Sequence, residues 1–205
     1  MEQTELFAKP RSLPAGLAYE PGFLSPAEEA TLLEFVQALP LREAKYKQYT
    51  ARRRIVSYGG RYDYGRNELL PAEAIPTFLY PLRERAAAWT GIAAHEFPHA
   101  LVAEYRPGTQ LGWHRDVPEF EAVVGISLGG ACRMRLRPYP PRPGRSDEAL
   151  SLDLEPRSAY ALRGHARWRW QHAISPTKNL RYSITFRTLR RAENAVTHAT
   201  PIESL

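Results

Sequence analysis

The sequence predicts an α+β fold: a double-stranded β-helix (jelly-roll) core of about eight short strands, with N-terminal helices packed on one of its sheets. Two observations predict it. Between residues 99 and 188, short runs that alternate apolar and polar residues follow one another, each closed by a turn signal. Before residue 91, apolar residues recur instead at helical spacing, in two segments with recognisable starts and stops.

The first helix begins at Ser25-Pro26-Ala27-Glu28, after an irregular stretch, 1–24, punctuated by Pro10, Pro14 and Pro21. Ser25 can cap, Pro26 suits the first helical position, and Glu28 completes a capping box. Leu32, Leu33, Val36 and Leu39 follow at helical spacing, and Pro40 ends the pattern. Residues 46–67 interleave tyrosine and arginine, and Gly59-Gly60 and Gly65 divide them, so they read as short strands or loops. A second helix is expected over 76–90, with Leu79, Leu82, Ala86 and Trp89 on one side. Pro81 marks a kink or the true start, and Gly91 the C-terminal stop. The strands are then 100–105, 110–115, 122–128, 133–137, 150–154, 159–163, 167–172 and 181–188. Pro107-Gly108, Gly129-Gly130, Glu155-Pro156 and Ser175-Pro176 are turns between them, and 138–148 is expected to be a mobile loop. With no internal repeat and no inter-domain linker, residues 1–205 are read as one domain.

Composition excludes several classes. A chain of 205 residues with 43% hydrophobic content can bury a sizeable core. No run approaches the ~18 apolar residues of a membrane span, and residues 1–10 do not read as a secretory signal. Cys132 is the only cysteine, which excludes an internal disulfide and a thiolate metal cluster, so a cytoplasmic monomer is expected. The net charge is +6, and all but four of the 28 basic residues are arginine. Arg52-Arg53-Arg54, Arg133/Arg135/Arg137 and Arg163/Arg167/Arg169 could form a surface for a phosphate backbone, or reflect a bias toward arginine on solvated faces.

The chemistry concentrates in His114-Arg115-Asp116 and, 58 positions later, His172. In an extended strand, residue direction alternates, so His114 and Asp116 share a side and Arg115 points away. A second strand is expected to bring His172 from the opposite sheet. His165 is the only rival to His172. Two histidines and a carboxylate on one face are the ligand set of non-haem Fe(II) oxygenases, with positions open for a 2-oxo acid and dioxygen. Zinc would accept the same ligands, but zinc hydrolysis would not explain two arginines downstream. Arg181, Ser183, Thr185 and Arg187 alternate with Tyr182, Ile184 and Phe186, giving one polar strand face that could line a pocket and hold a carboxylate. The alternative is a polar face turned to solvent.

Residues 99–188 resemble the catalytic core of the AlkB family of Fe(II)/2-oxoglutarate dioxygenases. Tyr105-Arg106-Pro107-Gly108, His114-x-Asp116, Ser127-Leu128-Gly129, the segment from Gly164 to His172, and Arg181-x-Ser-x-Thr-x-Arg187 match its pattern in order. The run from Arg53 through Tyr58-Gly59 to Tyr64 is similar to the substrate-recognition lid of its nucleic-acid-repair members. The resemblance implies that His114, Asp116 and His172 bind Fe(II). It implies that Arg181 and Tyr105, with Ser183 and Thr185, hold 2-oxoglutarate, with Arg187 by the metal-chelating end. It also implies oxidative dealkylation of N-alkylated nucleobases in DNA or RNA, such as 1-methyladenine or 3-methylcytosine, releasing succinate, CO2 and an aldehyde. Tyr58, Tyr62 and Tyr64 would stack on the base, Trp113, Arg115 and Glu119 would flank it, and Arg52, Arg53 and Arg54 would meet phosphates. Three positions depart from the pattern: Ala103 and Ser183 each stand for asparagine, and Pro118 stands where repair members carry an acidic residue. These departures keep a protein side chain or a tRNA base open as substrate, and a non-catalytic binding module remains the third reading.

Overall fold

The computed structural model describes residues 13–46, 49–141 and 149–191; expectations placed on 1–12 and on 142–148 lie outside them. Two antiparallel sheets form the core. The strands in chain order are β1 (Leu17–Glu20), β2 (Arg42–Tyr46), β3 (Tyr49–Tyr58), β4 (Arg61–Asp63), β5 (Glu68–Leu70), β6 (His99–Tyr105) and β7 (Leu111–His114), followed by β8 (Phe120–Gly129), β9 (Cys132–Pro138), β10 (Leu150–Leu154), β11 (Ala159–Leu162), β12 (Trp170–Ile174) and β13 (Arg181–Leu189). The large sheet runs β1-β11-β8-β13-β6-β3-β2, the small one β10-β9-β12-β7, and β4-β5 is a separate hairpin.

The helices cover the outer face of the large sheet. α1 (Pro26–Gln37) has the capping box read from the sequence, with Ser25 and Glu28 exchanging hydrogen bonds. α2 (Tyr80–Thr90) starts next to Pro81, preceded by a 3-10 turn, so the proline marks the true start. Gly91 closes α2 at φ 68°, a left-handed conformation that glycine adopts without strain. Leu32, Val36, Leu79, Leu82 and Ala86 pack on Val102, Ile126, Ile184 and Phe186 from the sheet. A second apolar layer, including Val123, Met134, Leu136, Leu154 and Leu162, lies between the sheets. β8 and β13 are therefore buried on both faces, and their alternation separates helix side from interior rather than core from solvent.

Two differences from the sequence expectation matter for the site. The segment 46–67 contains a ten-residue strand, β3, paired with β6 inside the large sheet. The segment 167–172 is only half strand: Gly164–Trp168 forms the short helix α3, and β12 begins at Trp170.

An ion pair on a largely buried carboxylate fastens α1 to the sheet. Glu29 accepts from the Gly129 amide at 2.9 Å and from Arg157 at 3.0 Å. Glu29→Ala removes the acceptor of both donors, and because Gly129 and Arg157 reach solvent we expect a loss of about 1 kcal/mol in urea unfolding, with Glu29→Gln losing less. An unchanged midpoint in the alanine variant would show that the contact adds nothing.

Candidate functional site

The three sequence-chosen ligands converge at one end of the space between the sheets. Their ligand atoms all lie within 4.8 Å of one another. His114 and His172 are direct cross-strand partners on β7 and β12, with ring centroids 4.2 Å apart. This corrects the expectation that His172 comes from the opposite sheet; same-face neighbours on adjacent strands approach closely enough without crossing the interior. A bulge in β7 between Leu111 and His114 lets both residues face inward, although they are an odd number of positions apart. Asp116 lies just past the end of β7 and still faces the same cavity.

Electrostatics suit a cation here. Nδ1 of His114 lies 2.9 Å from the Gly112 carbonyl. A carbonyl only accepts, so Nδ1 carries the proton and Nε2 keeps its lone pair free. Burial, reinforced by the nearby His114, holds the His172 pKa down at about 3, so this ring is neutral as well. Burial alone would raise the Asp116 pKa, but the Arg187 guanidinium, with Arg167 behind it, outweighs burial and holds the carboxyl well below its usual range. Arg187 Nε donates to Asp116 at 2.7 Å, which leaves Oδ2 on the His172 side, 3.7 Å from its Nε2.

The Asp116 loop is held by a residue the sequence reading placed on a strand. Arg167, on α3, donates through Nη2 to the carbonyls of Asp116, Val117 and Phe120 at 2.8–3.0 Å. Arg167→Met, which takes a donor from three carbonyls, is expected to cost roughly 2–4 kcal/mol and to weaken metal retention without removing a ligand. Normal stability by chemical denaturation together with normal iron content would refute this role.

Behind the ligands lies a small cavity lined on one side by Arg181, Ser183, Thr185 and Arg187, all from β13. Arg181 is 2% exposed; its Nε donates to Ser127 Oγ at 3.0 Å, its guanidinium lies over Tyr105, and its buried Nη1 has no hydrogen-bond partner. A buried cation with an idle donor facing a cavity calls for an anion. Ala103 and Ser183 are cross-strand partners, so two of the departures from the family pattern occupy one spot on the cavity wall. Tyr160, missed by the sequence reading, lines the cavity too. It fits because a Cβ on Gly125 would sit 2.4 Å from its ring. Burial raises its pKa, so its hydroxyl stays protonated. His99, read as structural or solvated, is buried against Phe120, with its Nδ1 3.5 Å from Arg187.

The remaining candidates disperse. Arg53 points into the cavity, where it lines the wall beside Tyr105 and is partly buried. Arg54 points to the helix side, where Glu104 takes it bidentately at 2.8 and 2.5 Å and also receives Arg106 and the Tyr182 hydroxyl. Both positions correct the expectation that the arginine triplet faces phosphates; only Arg52 is exposed. The same alternation buries Tyr58 in the helix-side core, away from the cavity. Tyr62 and Tyr64 form an edge-to-face pair at 4.9 Å, and Tyr64 lies near Arg53. Trp113 and Arg115 point to the outer face of the small sheet, and Glu119 does not line the cavity. Among the described residues, no helix is long and apolar enough to cross a membrane.

Comparison with known proteins agrees with this geometry. The model of the 2OG-Fe(II) oxygenase superfamily matches residues 16–187. The chain is 31% identical over 180 residues to the "Alkylated DNA repair protein ALKBH8 homolog" of Arabidopsis thaliana, covering 78% of this chain and 50% of that one. It is 27% identical over 172 residues to the "tRNA (carboxymethyluridine(34)-5-O)-methyltransferase alkbh8" of Xenopus tropicalis, covering 82% and 26%. The chain thus spans half or less of the length of these relatives. "The structure of OsALKBH1" superposes with a TM-score of 0.67 at 17% identity, covering 87% of this chain and 100% of that chain, which is a likeness of fold.

Proposed function

From the premise that the chain is an AlkB-type member of the 2OG-Fe(II) oxygenase superfamily, a dioxygenase using Fe(II), 2-oxoglutarate and O2, we propose that it oxidatively removes alkyl groups from nucleobases of DNA or RNA. The observation that carries the site assignment is the pairing of a neutral His, neutral His and ionised Asp cluster with a buried guanidinium that keeps one idle donor, across one cavity. His114, Asp116 and His172 would hold Fe(II). Arg181, with Tyr105, Ser183 and Thr185, would hold the far carboxylate of 2-oxoglutarate, and Arg187 steadies Asp116. Bound iron and cosubstrate supply dioxygen activation and oxidation of a C–H bond of the alkyl group, coupled to release of succinate and CO2.

The chain's residues supply the rest. The second oxygen of Asp116 stays directed at the ligand cluster because Arg187 occupies the first. Leu111, Val123 and Ile174 form the apolar part of the cavity wall. The target base must leave its stack to reach so buried a centre, and Tyr62 and Tyr64 are the aromatic pair best placed beside Arg53 to receive it.

A second reading concerns the base itself. 1-Methyladenine and 3-methylcytosine are cations, whereas the cavity presents Arg53, Arg181 and Arg187 and only one carboxylate, Asp116, which faces the ligand cluster. Like charges disfavour a cationic base there, so a neutral or anionic modified base, such as occurs in tRNA, fits the wall better. The test is succinate and aldehyde release with Fe(II) and 2-oxoglutarate across oligonucleotides carrying cationic, neutral and carboxylated bases, with a methylated peptide alongside. Turnover of the peptide alone would sink the nucleobase reading, and a clear preference for the cationic bases would sink the second one.

A further inference from the structure

We propose that the outer face of the small sheet is a docking track for the sugar–phosphate backbone of a single-stranded nucleic acid. The track leads over the β7 edge toward the cavity. β9 turns Arg133, Arg135 and Arg137 outward, because Cys132, Met134 and Leu136 between them belong to the core. Arg133 is committed to Asp153 on β10 at 2.8 Å. Arg135 and Arg137 have no carboxylate partner among the described residues. Instead both guanidinium groups lie over the ring of Trp113, 5.0 and 4.4 Å from its centroid, and Arg137 Nε also donates to Gln171. Trp113 reaches them because the β7 bulge turns it outward and Ala173, the small residue between, leaves room for the ring.

This arrangement suits phosphate. A cation–π contact occupies the flat face of a guanidinium and leaves its N–H edge free, while restricting its rotation before any ligand arrives. The fork that remains matches two oxygens of a phosphodiester. Arg115 extends the track: it stacks on exposed Tyr139 at 3.7 Å and uses Nη1 for the Trp168 carbonyl. Arg115 also lies between His114 and Asp116 in sequence, on the opposite side of the chain from both. β7 is the edge of its sheet, so a strand lying on Arg135, Arg137 and Arg115 reaches the ligand side by passing over one strand. The net charge of +6 favours a polyanion, and arginine rather than lysine favours phosphate over scattered carboxylates. A single strand is favoured over a duplex because its bases are already free to leave the stack. The inference rests on the reading above only for which base would enter the cavity.

The probe is a short, fluorescently labelled, unmodified single-stranded RNA, titrated into the full chain without metal at several salt concentrations and read by anisotropy. Each phosphate neutralised contributes about 0.7 to the salt slope for single strands, so Arg135→Ala/Arg137→Ala should lower that slope by about 1.4. Binding at low salt should weaken at least about tenfold, while Arg135→Lys/Arg137→Lys keeps most of the slope. Circular dichroism and uptake of Fe(II) with 2-oxoglutarate, unchanged in both variants, exclude misfolding. An unchanged slope in the alanine variant would overturn the track. So would tighter binding of poly-glutamate, which would mark an acidic protein as partner, or of duplex RNA. The probe has no alkylated base and the assay needs no iron, so failure of the dealkylation reading leaves this outcome standing, and the reverse holds too.

Discussion

Replacing His172 by alanine is expected to abolish iron retention and turnover together. Loss of an outer partner of a ligand already costs about 10–100-fold in metal affinity, and loss of a ligand should exceed the upper end of that range. The readout is iron content after anaerobic loading and gel filtration. His165→Ala, which removes the rival histidine on α3, should leave loading intact. Stoichiometric iron in the His172 variant would overturn the ligand assignment. Because His172 is buried and neutral in the fold, its loss should not reduce stability beyond a small cavity term.

Arg181→Met separates binding from folding more sharply. The side chain is buried and one of its donors is unpartnered. Each charge-assisted hydrogen bond to a carboxylate contributes roughly 1.5–3 kcal/mol, so losing two should raise the KM for 2-oxoglutarate by about 100-fold or more. Without cosubstrate, however, removal of an uncompensated buried cation should leave the melting temperature unchanged or raise it. Wild type should gain thermal stability on adding 2-oxoglutarate, and the variant should not. A variant that still shows the shift would place the cosubstrate elsewhere, and one that unfolds in its absence would make Arg181 a structural cation.

The parts of this molecule that were legible in the sequence are those written in local pattern. The Ser25/Glu28 box, the Gly91 stop and the inward face of β13 follow from spacings of three, one and two residues, and all are present. The His-x-Asp pair was legible for the same reason. What was hidden depends on partners far along the chain. β3 is an interior strand only because β6, some fifty residues on, pairs with it, and its tyrosines, arginines and nearby glycines suggested short strands or loops instead. Glu29 and Glu104 are ordinary surface residues until Arg157 and Arg54 reach them. Arg167 looked like one more solvent arginine; three carbonyls of a loop about fifty residues earlier make it a clamp. The β7 bulge, which sorts Trp113 from His114, is marked in the sequence by Gly112 alone.

The split between Arg53 and Arg54 carries a consequence for how β3 tolerates change in length. One neighbour enters the cavity beside Tyr105, and the next locks onto Glu104 on the other face. Deleting a single residue between Tyr49 and Arg53, with the pairing upstream kept, would move Arg54 to the cavity position and set Ile55 opposite Glu104. Glu104 would be buried without its strongest partner, and Tyr58 would leave the helix-side core. Chain-length variation in this region should therefore be confined to the β4–β5 hairpin, whose strands pair only with each other, and should be absent from the strand that leads into it.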